Sequence, residues 1–300
     1  MANRRQLVKR RKSVQNIRKI TRTMQLIATA RFQAALGRAT AARPYTDKMA
    51  ELVGSISAAA GEARHPLMRE SGDAKRTALV IITSMRGLCG GYNANVLRTA
   101  IAHVEELKGR GIETDVHMVG KKGAAYFKFL RRPTREQTTN LGDSPRFDQV
   151  EPIANGLMKR FVDGEIDSAY VASMRFFSAA RQRPEVIQLL PLAREQKPGA
   201  AGEGVTAAGA EAGSAVEYEF SPAPAELLEE LLPATVRIRL FQCFNDAIVS
   251  EQIARMVAMK AATDAAGDMI TSLTRQYNRA RQTHITMELL DIVGGANALA

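Results

Sequence analysis

The chain has 300 residues, of which 45% are hydrophobic and 24% charged, and its formal net charge is +11. This length and composition exclude a disordered chain and favour two structural units, or one domain with long extensions. A membrane-spanning apolar run, a signal peptide and a set of paired cysteines are all missing from the sequence, so we expect a soluble protein of a reducing compartment.

The first 46 residues carry the whole excess of positive charge. They contain twelve Lys and Arg and no acid before Asp47, whereas the rest of the chain has 30 bases and 31 acids. A helix face that is merely solvated normally mixes the two signs. We therefore expect an acidic partner for this segment, which is a nucleic acid, an anionic lipid surface or an acidic protein loop.

Both ends of the chain have the pattern of long helices. Residues 1–43 and 234–300 contain no proline, which costs about 3 kcal/mol in a helix interior. Apolar residues recur at three-, four- and seven-residue steps in each segment, and this spacing places one stripe against a partner helix. The N-terminal stripe comprises Leu7, Val14, Ile17, Met24, Ala28 and Ala35, and the C-terminal stripe Ile253, Met256, Met259, Ala262, Ala266, Ile270, Leu273, Tyr277, Ala280, His284 and Met287. An antiparallel coiled coil of the two ends follows, with His284 as a packed helix residue.

Residues 236–240 are ambiguous, because they alternate like a strand. Val236, Leu240, Phe244 and Ile248 also recur every four residues, which favours a helix.

The middle of the chain alternates short apolar runs with helical patterns. Strands are predicted over 77–83, 115–119, 166–172 and 186–192, and helices over 93–108, after 120–123 and over 150–162. This alternation predicts a small Rossmann-like α/β domain with a largely parallel sheet. The domains are then 1–60, 75–195, a flexible Gly/Ala-rich loop within 196–220 and 225–300.

Candidate catalytic motifs are weak. The glycine-rich turn at 87–91 lacks the Lys-Ser/Thr pair of a P-loop and the spacing of a dinucleotide fold, so we interpret it as a tight strand-to-helix turn. Cys89 has no supporting histidine motif and is better explained as a small buried thiol. No His, Cys, Asp or Glu spacing matches a metal site. The sequence therefore predicts no catalytic residue, metal or cofactor in this chain.

Five sequence blocks resemble one known family. The run 281–296 contains Ile-Thr-x-Glu, then an acid, then Gly-Ala, and closely resembles the signature of the gamma subunit of bacterial-type F-type ATP synthase. Blocks at 255–266, 277–282, 86–93 and 19–24 are similar to the same family and occur in its order.

The resemblance implies a mechanical function. The terminal coiled coil would be the central rotor shaft, one copy per complex, inside a ring of alternating alpha and beta subunits. Its α/β domain would contact the epsilon subunit and the c-subunit ring of the membrane sector. Rotation would couple proton flow to ATP synthesis or hydrolysis at the beta-subunit catalytic sites. The chain itself would be a non-catalytic, peripheral subunit at the cytoplasmic face of the bacterial inner membrane.

The resemblance also assigns partner contacts by position. These residues are Met24, Arg281, Gln282, Thr286 and Glu288. The apolar segment 285–300 would sit in a hydrophobic bearing, or alternatively cap the core of its own chain. Two other classes remain open on the residues alone: a nucleic-acid-binding protein, which explains only the basic N-terminus, and a stand-alone α/β enzyme, which lacks a catalytic set.

Overall fold

The computed structural model describes residues 4–59, 65–69, 74–192 and 224–299. The predicted loop at 197–215 lies outside the described residues. In chain order the elements are α1 (Arg4–Ala59), a 3-10 turn (Pro66–Met68), β1 (Arg76–Ile82), α2 (Tyr92–Gly109), β2 (Glu113–Val119), α3 (Lys121–Phe129), β3 (Glu136–Thr138), α4 (Phe147–Val162), β4 (Ser168–Phe176), β5 (Gln182–Leu190) and α5 (Pro224–Leu299). The predicted class, α/β with long terminal helices, is confirmed.

A five-stranded sheet has the order β3-β2-β1-β4-β5. The first four strands are parallel, and β5 pairs antiparallel with β4. The sequence patterns found the four longer strands but missed β3, which has only three polar or half-buried residues. The predicted bounds of the last two strands, 166–172 and 186–192, differ by a few residues from those of β4 and β5. The two strands form a hairpin that turns at 177–181, and β5 is only partly buried, so its apolar pattern is weak.

Both terminal helices continue through prolines. Helix α1 includes Pro44 and α5 includes Pro233, so each helix extends beyond its proline-free segment. In α5 the cost is offset by burial on both sides of the proline, since Leu228, Leu232 and Val236 are all at most 2% exposed. Residues 236–240 lie within α5, so the helical interpretation of this ambiguous segment is confirmed.

The chain divides into two compact units. The α/β unit comprises residues 34–87 and 91–251, and the helical unit comprises residues 1–33, 88–90 and 252–300. The core of the α/β unit joins the central strands to α4 and α5, with Val80, Phe161 and Phe244 among its fully buried side chains. Within the described residues, no helix combines the length and the apolar content needed to cross a membrane.

Candidate partner surface on the terminal helices

In the helical unit, α1 and α5 run antiparallel. Leu7 and Val14 form one apolar cluster with Ala266 and Leu273. Farther along α1, the Thr21 hydroxyl accepts a hydrogen bond of 2.8 Å from the Thr263 hydroxyl. Because the residue numbers rise on one helix as they fall on the other, the predicted antiparallel pairing is confirmed. A buried polar pair of this kind fixes helix register, since a shift would leave both hydroxyls without this bond.

The seam positions of α5, four of them buried and three half-buried, follow a coiled-coil repeat. Its seam residues are separated alternately by four and three positions, the 3.5-residue period of a left-handed coiled coil. They are Met259, Thr263, Ala266, Ile270, Leu273, Tyr277 and Ala280. On α1 the buried positions in this unit are Leu7, Val14, Thr21 and Ala28, seven apart.

Two parts of the predicted stripes were wrong. Ile17 is 49% exposed, because the seam of α1 passes through Thr21. His284 and Met287 continue the seven-residue pattern of α5 but are exposed, and His284 pairs with Glu288 at 3.2 Å. The pairing register explains this, since α5 beyond about residue 282 extends past Arg4, the first described residue of α1. A sequence repeat cannot show where its partner helix ends.

The last described turns of α5 are therefore free of packing within the described chain. Every residue from 281 to 296 is exposed. The large apolar residues among them have exposures between 46% and 68%, and they are Ile285, Met287, Leu289, Leu290, Ile292 and Val293. The alternative in which this segment caps the core of its own chain is thus not supported over 281–296.

Four of the five predicted contact residues lie together. Arg281, Gln282, Thr286 and Glu288 are exposed within about two turns of α5. The Thr286 hydroxyl donates to the Gln282 carbonyl oxygen at 3.0 Å, which orients that turn. Met24 is half-buried on α1, and the antiparallel register places it near residues 256–260 of α5. It therefore lies roughly 30–50 Å along the helix axis from the other four, so the five residues form two separate contact regions.

Helix α1 presents its charge to the outside. Ten cations of α1 before residue 47 are exposed, namely Arg4, Arg5, Lys9, Arg10, Lys12, Arg18, Lys19, Arg22, Arg31 and Arg38. Arg11 is half-buried, and its guanidinium carbon lies 5.3 Å from the centre of the Tyr277 ring. This cation–π contact joins α1 to α5. Ile20, Leu26 and Ile27 are also exposed, at 48% or more. The sequence analysis did not single out these three residues. Their positions between the seven-residue steps of the seam would have indicated that they face away from α5.

The hollow at the carboxyl ends of β1 and β2 is small. In open parallel sheets, ligands bind at the carboxyl ends of the strands. Here the hollow at Thr83 and Val119 has a volume of about 30 Å³, because Phe244, Ala247 and Ile248 of α5 line it. That volume holds a few waters, whereas small-molecule sites occupy roughly 300–1,000 Å³. A nucleotide does not fit there.

Both thiols are buried, as expected for Cys89. Burial raises the pKa of the Cys243 thiol to about 12, with a smaller contribution from Asp246. Its sulfur donates to the Arg239 carbonyl oxygen at 3.2 Å. This thiol is protonated at neutral pH and is a packing group rather than a nucleophile.

Comparison with known proteins identifies the family. A family model described as ATP synthase matches residues 3–299. An ATP synthase gamma chain of Rhodopirellula baltica is 43% identical over 300 residues, covering 100% of this chain and 99% of the relative. This chain belongs to the ATP synthase gamma-chain family. A gamma chain of Leptospira biflexa is 41% identical over 300 residues, with all of both chains covered.

Solved structures share the fold of this gamma-chain family member. The rotor of a Euglena gracilis mitochondrial ATP synthase matches with a TM-score of 0.61 and 18% identity, over 94% of this chain and 98% of that one. A central-stalk chain of the Tetrahymena thermophila mitochondrial ATP synthase gives 0.55 and 18%, over 81% and 99%. At this identity the likeness shows the fold alone.

Proposed function

We propose that this chain is the central rotor shaft of a proton-translocating F-type ATP synthase. Rotation of the shaft couples proton flow through the membrane sector to ATP synthesis or hydrolysis at the beta-subunit catalytic sites. The observation that carries the proposal is the 43% identity to a gamma chain over the whole length. The antiparallel pairing of the two chain ends supports it, because this pairing supplies the element that has to turn.

The helix pair has the physical properties of a shaft. A rotating element must resist bending and twisting, and α1 and α5 contain no proline within residues 4–33 and 252–299. Their seam combines apolar contacts with the Thr21–Thr263 hydrogen bond. Sliding of one helix along the other would break both, so torque applied to one helix is carried by the pair.

Two surfaces would meet the stationary subunits. The exposed cations of α1 would face acidic loops of the beta subunits, which agrees with the absence of any acid before Asp47. The exposed apolar end of α5 would sit in a hydrophobic bearing of the alpha–beta ring. Within this scheme Arg281, Gln282, Thr286 and Glu288 contact the ring near the bearing, and Met24 contacts it near the acidic loops.

The remaining partners follow from the same proposal. The α/β unit would contact the epsilon subunit and the c-subunit ring, with one copy of the chain per complex. The chain would be non-catalytic and bind no cofactor, since catalysis would take place in the ring. It would act at the cytoplasmic face of the bacterial inner membrane as a peripheral subunit.

Co-purification tests the proposal. The tagged full-length chain is co-expressed with the alpha and beta chains of its own organism, and the purified assembly is analysed for composition and ATP hydrolysis. We expect one copy of this chain with a ring of three alpha and three beta chains. Purification of the chain without alpha or beta, together with steep salt-dependent binding to DNA or RNA, would instead support a nucleic-acid-binding protein.

A further inference from the structure

We propose that the C-terminal end of α3 is a contact site for anionic phospholipid headgroups at a membrane surface. The site is the α3 patch, defined here as residues 121–132. It lies wholly within the α/β unit and is separate from the surfaces assigned above to the alpha–beta ring. The inference goes beyond the rotor proposal and can fail while that proposal stands.

The α3 patch combines positive charge with exposed apolar rings. Its twelve residues contain five Lys and Arg and no acid. Phe129 is 78% exposed, the largest value for a large apolar side chain in the described part of the protein, and Tyr126 and Leu130 are 43% and 37% exposed. Aromatic rings among cations are the composition of surfaces that lie in a lipid interface, where rings enter the acyl boundary and cations meet phosphates.

A hollow with a mixed polar and apolar lining lies beside Lys128. It has a volume of about 430 Å³, and its lining includes Lys128, Arg132, Thr134 and Gln137. Gln137 donates to the Thr134 hydroxyl at 2.7 Å, and Arg132 pairs with Glu105 at 2.6 Å. Lys128 has no acidic partner within 4 Å among the residues that the structure describes. The hollow is large enough for a headgroup phosphate, and the Lys128 ammonium at its rim supplies the counter-charge.

The C-terminal cap of α3 has a cation, Arg131, at its left-handed position. The Arg132 amide donates to the Phe127 carbonyl and the Arg131 amide to the Lys128 carbonyl, which is the hydrogen-bond pattern of a Schellman cap. Arg131 occupies the left-handed position of that cap, with φ of +54°. Glycine is the residue best suited there, and a side chain costs about 1 kcal/mol. The chain therefore carries a guanidinium at an exposed turn where stability alone favours glycine.

A lipid surface fits the patch better than an acidic protein does. Protein interfaces concentrate their energy in side chains that enter fully desolvated pockets. Here Phe129, Tyr126 and Leu130 are exposed at the surface, and the adjoining hollow is lined by cations and polar groups as well as by small apolar residues. Insertion into a membrane would bury the apolar side chains of Phe129 and Leu130 in the acyl region. The cations of Lys128 and Arg131 would then lie at the level of the phosphates.

A single tryptophan reports on the patch directly. The twelve N-terminal cations would hold the chain on an anionic vesicle whatever α3 does, so bulk vesicle sedimentation is not informative. The chain contains no tryptophan, and Phe129→Trp therefore places one probe in the patch. The matched control is Phe147→Trp on α4, which is 40% exposed and follows Arg146, already paired with Asp148 at 2.7 Å.

The full-length variants are mixed with two kinds of vesicle, one of phosphatidylcholine alone and one of phosphatidylcholine and phosphatidylglycerol. Both kinds contain lipid with a brominated acyl chain. For Phe129→Trp we expect a blue shift and quenching of the emission on the anionic vesicles only, and neither for Phe147→Trp. In the Phe129→Trp background, Lys128→Gln and Arg131→Gly should each weaken the response about fivefold at low salt. Arg131→Gly should at the same time leave the free energy of unfolding unchanged or raised, which separates lipid contact from folding.

Three results would overturn the inference. The first is an unchanged Phe129→Trp spectrum on anionic vesicles. The second is an equal response of the Phe147→Trp control. The third is the same response to inorganic phosphate or to a soluble acidic polypeptide without vesicles, which would identify a phosphate site or a protein-binding site.

Discussion

Gly120 and Gly123 allow the start of α3 to lie against the end of β1. Gly120 has φ of +104°, and a Cβ atom there would lie 2.3 Å from the Thr83 carbonyl oxygen. A Cβ atom at Gly123 would lie 2.4 Å from the Met118 sulfur and 2.6 Å from the Thr83 hydroxyl. That hydroxyl accepts from the Gly123 amide and donates to the Val119 carbonyl. From the sequence, residues 120–123 indicated only that a helix follows them.

We expect Gly123→Ala to destabilise the chain. The added methyl has to displace the Thr83 and Met118 side chains in a closely packed site, at a cost of about 1–3 kcal/mol in the free energy of unfolding. Gly156→Ala is the matched control, because it lies in α4 with no atom within 4 Å of its added Cβ. It should stabilise by up to about 1 kcal/mol through helix propensity. Urea unfolding of both variants measures the difference, and equal effects would refute the packing argument.

Arg281 and Gln282 are predicted to act through a partner. Because both are exposed on α5, Arg281→Ala with Gln282→Ala should leave the fold of the isolated chain unchanged. We expect weaker assembly with alpha and beta chains, or slower ATP hydrolysis by the assembled complex. The matched control is Arg275→Ala with Gln276→Ala, the same two residue types, also exposed, two turns earlier on α5. Normal assembly and turnover of the first variant would contradict the assignment.

At the scale of elements, periodicity was more informative than single residues. It predicted the paired helices and four of the five strands, because burial of one face imposes a period on the sequence. It misplaced Ile17, since Thr21 takes the seam position that apolar spacing assigned elsewhere. It missed β3, which is held by pairing with β2 and not by burial of its own side chains.

The same leucine substitution should have opposite consequences on one helix. Leu273 is 6% exposed in the seam and Leu289 is 57% exposed beyond it. Leu273→Ala should lower the free energy of unfolding by about 2–4 kcal/mol, through lost burial and a cavity. Leu289→Ala should change it by less than about 0.5 kcal/mol. Comparable losses in chemical denaturation would show that α5 packs in another register.

The β2–β3 pair should weaken in mild acid. Burial lowers the pKa of His117 below its usual 6.5, with Arg160 acting in the same direction and Glu136 opposing. The unfolded chain therefore binds this proton more readily, so the stabilisation is complete above about pH 6.5 and is lost as the pH falls below it. His117→Gln should flatten the pH dependence of urea unfolding between pH 7.5 and 5. Some slope should remain, because the pKa values of His65 and His103 are lowered too. An unchanged slope would contradict this assignment.

At the scale of the whole molecule, the sequence predicted that the two ends pair but not where the pairing stops. The repeat of α5 continues through His284 and Met287, yet the described part of α1 begins at Arg4. The exposed end of α5 follows from this difference in length, and it is the part of the proposed contact surface that a partner has to cover. Partner contacts themselves leave no periodicity in a single chain, so Met24 and Arg281 were assigned from the resemblance alone.

A shaft that couples proton flow to catalysis has to rotate within the ring, and this rotation can be observed in single complexes. The chain is assembled with its alpha and beta partners, the ring is fixed to a surface, and a bead is attached to a cysteine introduced by Gly156→Cys, an exposed site in the α/β unit with open space around it. Both native cysteines are buried and should not take the label. If the chain is the rotor shaft, we expect the bead to turn in one direction while ATP is hydrolysed and to stop when ATP is removed. Steady hydrolysis with a stationary bead would contradict it.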